Sequence, residues 1–209
     1  MLEVIVTGST YGHSVSTALL DSMFRLRSMV FADRLGWTVN SIQGRERDRF
    51  DELEPVYMIA RDSSQPKQAL GCWRLLPTSG PNMLRDIFPE LLNGARMPCD
   101  PRVWEISRFA VATERQERGP TFGFSEIPVA MLRRLFSFSR ERGIRAFVGV
   151  TSVAIERLTR NLELPMRRYA PACRIGGVRS LAFHLPMDKR AEAVLSEPAV
   201  LAHPAARAA

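Results

Sequence analysis

Residues 103–112 read VWEISRFAVA, in which large apolar residues alternate with polar or charged ones. Alternation at every second position predicts a β-strand, with Glu105 on one face and Arg108 on the other. Both charged side chains have apolar neighbours, among which an unpaired charge is costly to bury. A β-bulge would bring the two to one face and would free backbone N–H groups that can polarise a carbonyl group. We therefore expect this pair to belong to a functional site.

The patterns on either side of this strand predict an α/β fold. Downstream, SEIPVAMLRRLFSFSRERG (125–143) predicts a helix that begins at Ser125 and ends at Gly143. The polar stretch 33–54 predicts a long loop, of a length that is often functional. Further helices are predicted at 15–32, 82–92 (capped by Asn82) and 153–164, and further strands at 2–7, 56–61, 69–78, 145–151 and 180–186. This order predicts a single-domain α/β/α sandwich on a mixed, largely antiparallel sheet.

The composition is that of one folded domain. The chain has 209 residues, of which 45% are hydrophobic and 24% charged, enough for one sizeable core. We expect the domain to span residues 1–188. Residues 189–209, rich in Ala and Pro, are expected to form a partly helical or disordered tail. The sequence has no recognisable signal peptide or membrane span, so we expect a cytoplasmic protein.

The cysteines and the net charge limit which metal sites, disulfides and binding partners are expected. Cys72, Cys99 and Cys173 include no CxxC pair, which argues against a disulfide framework or a zinc site, so no metal is expected. The net charge is +7, and basic residues are dense between residues 133 and 179. Such a charge predicts an acidic partner: nucleic acid, anionic lipid, a nucleotide-bearing cofactor or an acidic protein.

Three further groups of residues precede the 103–112 strand. The first predicted helix carries Arg and Phe residues and leads to a Trp, the polar loop carries two Asp residues, and an Arg interrupts the apolar strand 69–78. Taken singly, each is explained by packing, by solvent exposure or by an outward-facing strand position. Their order along the chain carries more information than any one of them.

In that order, these residues resemble the LuxI-type acyl-homoserine-lactone synthase family. The resemblance runs from the first helix to about residue 186. The family pattern is met by Arg27, Phe31 and Trp37 in RLRSMVFADRLGW, by Asp48 and Asp51 in QGRERDRFD, by Arg74 in CWRLLPT, and by Glu105 and Arg108 in WEISRF. The resemblance implies a fold similar to that of the GCN5-type N-acetyltransferases.

The resemblance also implies a two-step reaction that produces a quorum-sensing autoinducer. An acyl group passes from an acyl thioester to the amine of S-adenosylmethionine, whose carboxylate then closes the lactone and releases methylthioadenosine. Both compounds are substrates, and no tightly bound cofactor is expected. The implied acyl donor is an acidic acyl carrier protein, or acyl-CoA.

The residue types suit these steps. An α-amino group titrates at about 7.7–8.0, so a modest base suffices, and Glu105 is our candidate, directly or through a water. Trp37 or Phe31 would face the sulfonium, and Arg27 or Arg108 would hold the carboxylate.

The loop carboxylates have supporting roles in this scheme. Asp48 would hold the ammonium or the ribose, with Asp51 in support, and Arg74 would pair with the acidic loop. The catalytic set is therefore Glu105, Asp48 and Arg108.

The placement of strands and helices in the family implies two further sets of site residues. The implied acyl pocket consists of Trp73, Ile106, Met131, Gly149, Val150, Thr151, Ile155 and Leu158. The implied docking face for the carrier protein consists of Arg133, Arg134, Arg157 and Arg160. Members that prefer 3-oxoacyl chains often carry Thr where this chain has Gly149, which implies an unsubstituted or branched chain here.

Two other readings remain open. A general GCN5-type N-acyltransferase would use acyl-CoA through a phosphate loop, and Gln116–Thr121 (QERGPT) fits that loop except at its last small position. A basic nucleic-acid-binding module is the second alternative. The sequence shows no helix-turn-helix pattern, zinc spacing or aromatic-interleaved basic stretch that would favour it, so no nucleic-acid partner is expected.

Overall fold

The computed structural model describes residues 1–8, 14–112 and 126–196. Its strands are β1 (Leu2–Thr7), β2 (Ser41–Ile42), β3 (Arg45–Glu46), β4 (Val56–Asp62), β5 (Ala69–Pro77), β6 (Val103–Val111), β7 (Ala146–Ser152), β8 (Arg167–Arg168), β9 (Cys173–Ile175) and β10 (Val178–Pro186). Its α-helices are α1 (Thr17–Ser28), α2 (Met83–Asp86), α3 (Glu126–Arg142), α4 (Val153–Asn161) and α5 (Lys189–Leu195).

The main sheet has the strand order β1-β4-β5-β6-β7-β10-β8, with β9 also paired to β10. All of these pairs are antiparallel except β6–β7, which is parallel. The parallel pair is short, because it runs only from Val103 opposite Ala146 to Ile106 opposite Gly149. Beyond that point the two strands continue without pairing to each other, which opens a gap in the middle of the sheet.

Gly149 lies where this gap begins. A Cβ atom placed there would lie 2.2 Å from the carbonyl oxygen of Ile106 and 3.2 Å from the ring of Phe183. Only a residue without a side chain therefore fits at this closest approach of β6 and β7.

Helices cover both faces of the sheet. Helix α1 buries Leu19, Met23 and Leu26 against one face, in a cluster with Ile59 of β4. Helices α3 and α5 lie on the opposite face, where their apolar residues join the largest cluster of the core. The predicted α/β/α sandwich on a mixed, largely antiparallel sheet is confirmed.

Three segments differ from the sequence-based prediction. The helix predicted at 15–32 is α-helical only to Ser28 and continues as a π-helical turn, Met29–Arg34. The predicted loop 33–54 contains the small β2–β3 hairpin and a 3₁₀ turn, Arg49–Glu52. The helix predicted at 82–92 is divided into α2 and a 3₁₀ turn, Pro89–Leu92, because proline lacks the N–H that would continue the helix.

Several predicted boundaries can be compared directly. The side chain of Asn82 caps α2 by accepting from the N–H of Arg85 at 3.0 Å. Gly143 follows the last residue of α3 with φ of +63°, as a left-handed C-terminal residue does. The predicted helix start at Ser125 and the loop Gln116–Thr121 lie outside the described residues.

The first part of the predicted tail is a helix that packs on the domain. In α5, Ala191 and Leu195 are 0% and 5% exposed and belong to the main core cluster. Asp188 caps this helix by accepting from the N–H groups of Arg190 and Ala191. Among the helices of the described segments, none has the length and apolar character needed to cross a membrane.

Candidate active site

A β-bulge in β6 brings Glu105 and Arg108 to the same side of the sheet. Ser107 pairs with Arg74 of β5, but Ala110 pairs with Cys72, so two residues of β6 lie opposite one residue of β5. Arg108 is in the bulge and has φ of +56°, a strained backbone for a residue with a side chain. The extra residue reverses the alternation, which explains how both charged side chains reach the same site.

Arg108 is part of a closed ring of ion pairs, in which each arginine bridges two carboxylates and each carboxylate bridges two arginines. Around the ring the members are Arg27, Asp51, Arg74, Asp48, Arg108 and Glu46. Three positive and three negative charges balance. A buried set of charges is tolerated when it is paired and hydrogen-bonded in this way.

The part of the ring around Arg27 is the most deeply buried. Its Nε donates to Glu46 at 2.6 Å, and its Nη1 and Nη2 both donate to Asp51 at 2.8 Å. These three side chains are 0% exposed. Tyr57 donates its hydroxyl to Asp51 at 2.7 Å. Every nitrogen of this guanidinium already has a carboxylate partner, so Arg27 holds Glu46 and Asp51 in place and has no nitrogen left for a further anion.

Asp51 is held ionised by its neighbours. Burial by itself would raise the pKa of this carboxyl group. The hydrogen bonds and charge of Arg27, together with the charge of Arg74, outweigh that effect and hold the pKa far below its usual range. The N–H of Asp48 adds a hydrogen bond at 2.9 Å. Asp51 is therefore a permanent anion, unsuited to take up a proton.

Arg74 and Asp48 form the adjoining part of the ring. The guanidinium of Arg74 donates twice to Asp48 and lies 3.0 Å from Asp51. Its remaining nitrogen, Nε, donates to the hydroxyl of Ser107 at 3.2 Å. Asp48 is the most exposed carboxylate of the ring, at 17%, yet its oxygens already contact Arg74 and Arg108.

Arg108 differs from the other two arginines because one of its nitrogens has neither a carboxylate nor a hydroxyl as its partner. Nε and Nη2 contact Glu46 at 3.0 and 2.9 Å, and Nη2 also contacts Asp48. Among the described residues, Nη1 contacts only the thioether sulfur of Met83 at 3.2 Å, which is a weak acceptor. The guanidinium also lies 5.4 Å from the ring centre of Phe31. Nη1 is therefore the nitrogen of this ring best able to bind an added anion.

Glu105 lies beside the ring but outside it. It is 1% exposed, and its two oxygens accept the N–H groups of Met83 at 3.0 Å and Leu84 at 2.6 Å. Burial raises the pKa of Glu105, although these N–H groups and the charges of Arg74 and Arg108 oppose the shift. Glu105 thus fixes the start of α2 and is easier to protonate than an ordinary glutamate.

A cavity of about 480 Å³ opens above these groups, in the gap between β6 and β7. Of the residues predicted from the sequence to bind S-adenosylmethionine, Phe31, Trp37 and Arg108 line it, as does Glu105. The others, Arg27, Asp48, Asp51 and Arg74, lie beneath its wall in the ring of ion pairs. The ring thus brings together the five charged residues predicted to bind S-adenosylmethionine, of which only Arg108 reaches the cavity surface.

The π-helical turn after α1 positions the aromatic side of this cavity. The N–H of Leu35 bonds to the carbonyl of Val30 at 3.0 Å, and that of Trp37 to the carbonyl of Phe31 at 2.8 Å. The rings of Phe31 and Trp37 are stacked, with centres 5.5 Å apart and planes at 12°. The widened turn thereby presents two aromatic residues to one space.

A second, smaller cavity of about 50 Å³ lies between the sheet and helices α3 and α4 and shares lining residues, among them Ser107 and Thr151, with the first. Six of the eight predicted acyl-pocket residues line it: Trp73, Ile106, Val150, Thr151, Ile155 and Leu158. Met131 lies instead in the core beside Gly71, and Gly149 lies at the β6–β7 contact. The sequence analysis missed other residues of this wall, among them Phe109, Leu132, Met166 and Phe183.

The four predicted docking arginines are on helices α3 and α4. Arg157 and Arg160 are exposed on α4, whereas Arg133 and Arg134 are half-buried on α3. Arg134 pairs with Glu141 at 2.9 Å and Arg160 with Glu156 at 3.4 Å. Their role in docking stays a prediction.

Two polar residues of the site were missed by the sequence analysis. Glu46 closes the ring, but as one acidic residue in the stretch GRERDRFDELE it has no distinguishing pattern. Ser107 stands between Glu105 and the bulge, where the alternation of the strand alone gives it no special role. For metals, the described residues hold no group of three His, Cys, Asp or Glu side chains arranged to bind an ion.

Comparisons with known proteins identify the family of this chain. The family model described as autoinducer synthase matches residues 12–195. An acyl-homoserine-lactone synthase of Pseudomonas aeruginosa is 37% identical over 177 residues, which cover 85% of this chain and 87% of that protein. The chain belongs to the autoinducer synthase family. A Vibrio anguillarum acyl-homoserine-lactone synthase is 34% identical, over 88% of this chain and 96% of its own length.

Solved structures place this autoinducer synthase in the same fold group. The AHL synthase LasI superposes with a TM-score of 0.84 at 34% identity, over 93% of this chain and 94% of its own. TofI, crystallised with an inhibitor and MTA, gives a TM-score of 0.77 at 28% identity, over 93% and 96% of the two chains. A putative N-acetyltransferase from Lactobacillus plantarum, at 15% identity and a TM-score of 0.57 over 89% and 98%, confirms the predicted N-acetyltransferase-like fold.

Proposed function

We propose that this autoinducer synthase transfers an acyl group from an acyl thioester to the amine of S-adenosylmethionine and then closes the homoserine lactone, releasing methylthioadenosine. The observation that carries the proposal is a two-part cavity at one gap in the sheet. Its larger part has Arg108, Glu105 and two aromatic rings in its wall, and its smaller part is lined mainly by apolar side chains. A cationic amino acid and an acyl chain would meet where the two parts join.

The larger part suits S-adenosylmethionine. Its carboxylate would bind Nη1 of Arg108, which has only a thioether for a partner. The sulfonium would face Trp37, because the guanidinium of Arg108 already lies over Phe31. A cation over an aromatic ring contributes roughly 0.5–2 kcal/mol. TofI, which has the same fold, was crystallised with MTA, and this supports binding of a related nucleoside by the present chain.

We assign the proton-accepting role to Glu105. The substrate amine titrates at about 7.7–8.0 in water, so a carboxylate with a raised pKa is a closer match to it than an ordinary glutamate. Both oxygens of Glu105 already accept backbone N–H groups. A water between the amine and Glu105 therefore suits this geometry better than direct contact.

The loop carboxylates would act through the arginines. Asp48 and Asp51 fix the guanidinium groups of Arg74 and Arg108, so they would position the carboxylate-binding nitrogen without touching the substrate. Arg27 would do the same from beneath the cavity. In the second step the carboxylate oxygen attacks the γ-carbon, and the carbon–sulfur bond breaks with its electron pair on sulfur. A carboxylate held in one orientation favours that ring closure.

We propose an acidic acyl carrier protein as the acyl donor. The exposed residues Arg157 and Arg160 lie on α4, next to the smaller cavity that Ile155 and Leu158 help to line. Positive charge near the entrance would attract an acidic carrier and raise its rate of association. Acyl-CoA, which is also anionic, remains the alternative donor.

The proposal is tested with purified protein, S-adenosylmethionine and a panel of acyl carrier proteins and acyl-CoAs. Release of methylthioadenosine and formation of the lactone are both measured by chromatography. Arg108→Lys should abolish most of the activity, whereas the matched Arg145→Lys at an exposed pair with Asp100 should not. No release with any donor would contradict the proposed function.

A further inference from the structure

Ser107 lies where the two cavities join. It is on β6, directly before the bulge, and it lines both the larger and the smaller cavity. In the proposed function, the larger cavity holds the amine and the smaller cavity holds the acyl chain. The carbonyl carbon that links them must then lie near Ser107.

The neighbouring Arg74 restricts the direction of the Ser107 hydroxyl proton. Nε of Arg74 donates to Oγ of Ser107 at 3.2 Å. A guanidinium has no acceptor, so the hydroxyl must accept in this bond and its own proton must point elsewhere. Within the described residues that proton has no acceptor. A hydroxyl whose oxygen already accepts a hydrogen bond, and whose proton has no acceptor, is preorganised to donate to a bound substrate.

We propose that Ser107 is a catalytic residue whose hydroxyl donates a hydrogen bond to the carbonyl oxygen of the acyl thioester, an inference that rests on the proposed function. The amine nitrogen forms a bond to the carbonyl carbon, and the π electron pair moves onto the oxygen. Return of that pair expels the sulfur, which takes up the proton that the nitrogen loses. Negative charge develops on the oxygen during the step, and a fixed donor stabilises it most at that moment.

The geometry favours Ser107 over the other hydroxyls at this junction. Thr151 of β7 lines both cavities too, but no donor among the described residues bonds to its hydroxyl. Ser152 uses its hydroxyl oxygen to cap α4 by accepting from the N–H of Ile155 at 3.3 Å. Ser107 also has the positive charge of Arg74 behind it, which strengthens the donor.

The test compares Ser107→Ala with two other variants of the full-length enzyme: Thr151→Val, which removes the rival hydroxyl, and the control Ser137→Ala, at an exposed serine of α3. Removal of one oxyanion donor commonly lowers kcat by about 10²–10³-fold, so we expect a loss of that order for Ser107→Ala. The KM for S-adenosylmethionine should stay within about twofold of the wild type, because Arg108 and Trp37 are unchanged. Ser137→Ala should keep kcat within a few-fold of the wild type, and Thr151→Val should lose less kcat than Ser107→Ala.

A spectroscopic measurement separates this role from a structural one. With an acyl donor labelled with ¹³C at its carbonyl and no S-adenosylmethionine, the infrared stretch of the bound carbonyl reports the hydrogen bond directly. The frequency should be lower in wild type than in Ser107→Ala. It should also be lower than in Ser107→Cys, which keeps a side chain of similar size but donates weakly.

These outcomes separate the inference from the proposed function. Normal turnover by Ser107→Ala, or an unchanged carbonyl frequency, would overturn the role of Ser107 while the wild-type enzyme still released methylthioadenosine. A large loss for Thr151→Val alone would overturn it too, because the donor would then be on β7. If Ser107→Ala does not fold, the frequency of Ser107→Cys decides the question.

Discussion

Replacing Glu46 with Gln tests how strongly the ring of ion pairs depends on its charge balance. Glu46 is 0% exposed and contacts Arg27 at 2.6 Å and Arg108 at 2.9 Å. Gln has nearly the same size but no charge, so the variant leaves three arginines with two carboxylates away from water. Removing one partner of a buried ion pair costs about 3–5 kcal/mol, because the other charge is left uncompensated. Natural domains have a free energy of unfolding of only about 5–15 kcal/mol.

The matched control is Glu141→Gln, which removes the same charge from an exposed pair. Glu141 contacts Arg134 at 2.9 Å, but its side chain is 53% exposed, and such pairs contribute about 0–1 kcal/mol. Unfolding in urea and by heat would be measured for both variants. For a domain of this size each kcal/mol shifts Tm by about 2–4 °C, so we expect Glu46→Gln to lower Tm by roughly 6–20 °C. A loss no greater than that of Glu141→Gln would refute the reasoning.

A double variant distinguishes charge balance from packing. Adding Arg108→Met to Glu46→Gln removes one positive charge as well, so the ring is neutral again. We expect the double variant to be more stable than the sum of the two single losses predicts. Strict additivity would show that the two residues do not act through each other.

Three further predictions concern backbone packing, pH and the acyl chain. Gly149→Ala places a methyl group against the carbonyl of Ile106, so it should lower the free energy of unfolding by about 1–3 kcal/mol in urea titrations; an unchanged value would contradict the close contact. The pKa of Asp51 is lowered in the folded state, so ionised Asp51 stabilises the fold fully at a pH well above its unfolded pKa of about 3.9, and this stabilisation is lost as the pH falls below that value. The difference in Tm between wild type and Asp51→Asn should therefore shrink below about pH 4. A difference that stays constant with pH would refute this. The smaller cavity has a volume of only about 50 Å³ and is bounded by Leu132, so competition assays should show a preference for short-chain donors over dodecanoyl. Leu132→Ala should extend that preference to longer chains, and an unchanged chain-length preference would contradict the assignment of this cavity to the acyl chain.

The polar site shows where sequence patterns suffice and where they do not. Glu105 and Arg108 stood out because charged residues are rare within an apolar strand. Strict alternation separates them, however, and only the bulge opposite β5 brings them together. Glu46 could not be singled out, since an acidic residue in a polar loop is usually solvated. Its burial depends on the β2–β3 hairpin folding back onto α1.

The helix predicted at 82–92 illustrates the limits of local pattern. Its apolar spacing fits a helix, but Pro89 divides it, and Glu105 then fixes the start of the remaining turn by accepting hydrogen bonds from the N–H groups of Met83 and Leu84.

Met131 illustrates another limit of local sequence patterns. Its spacing along α3 predicts a buried position, but which buried space it fills depends on how that helix lies across the sheet.

The sequence alone determined the α/β architecture, the family and the strand that carries the charged pair, because periodicity and ordered motifs are local properties of the chain. Tertiary structure decided which of the predicted polar residues reach the cavity and which support it from the ring of ion pairs. That division depends on contacts between residues 19 to 62 positions apart and on one extra residue in β6, which reverses the faces of the strand. No local pattern specifies such long-range pairing.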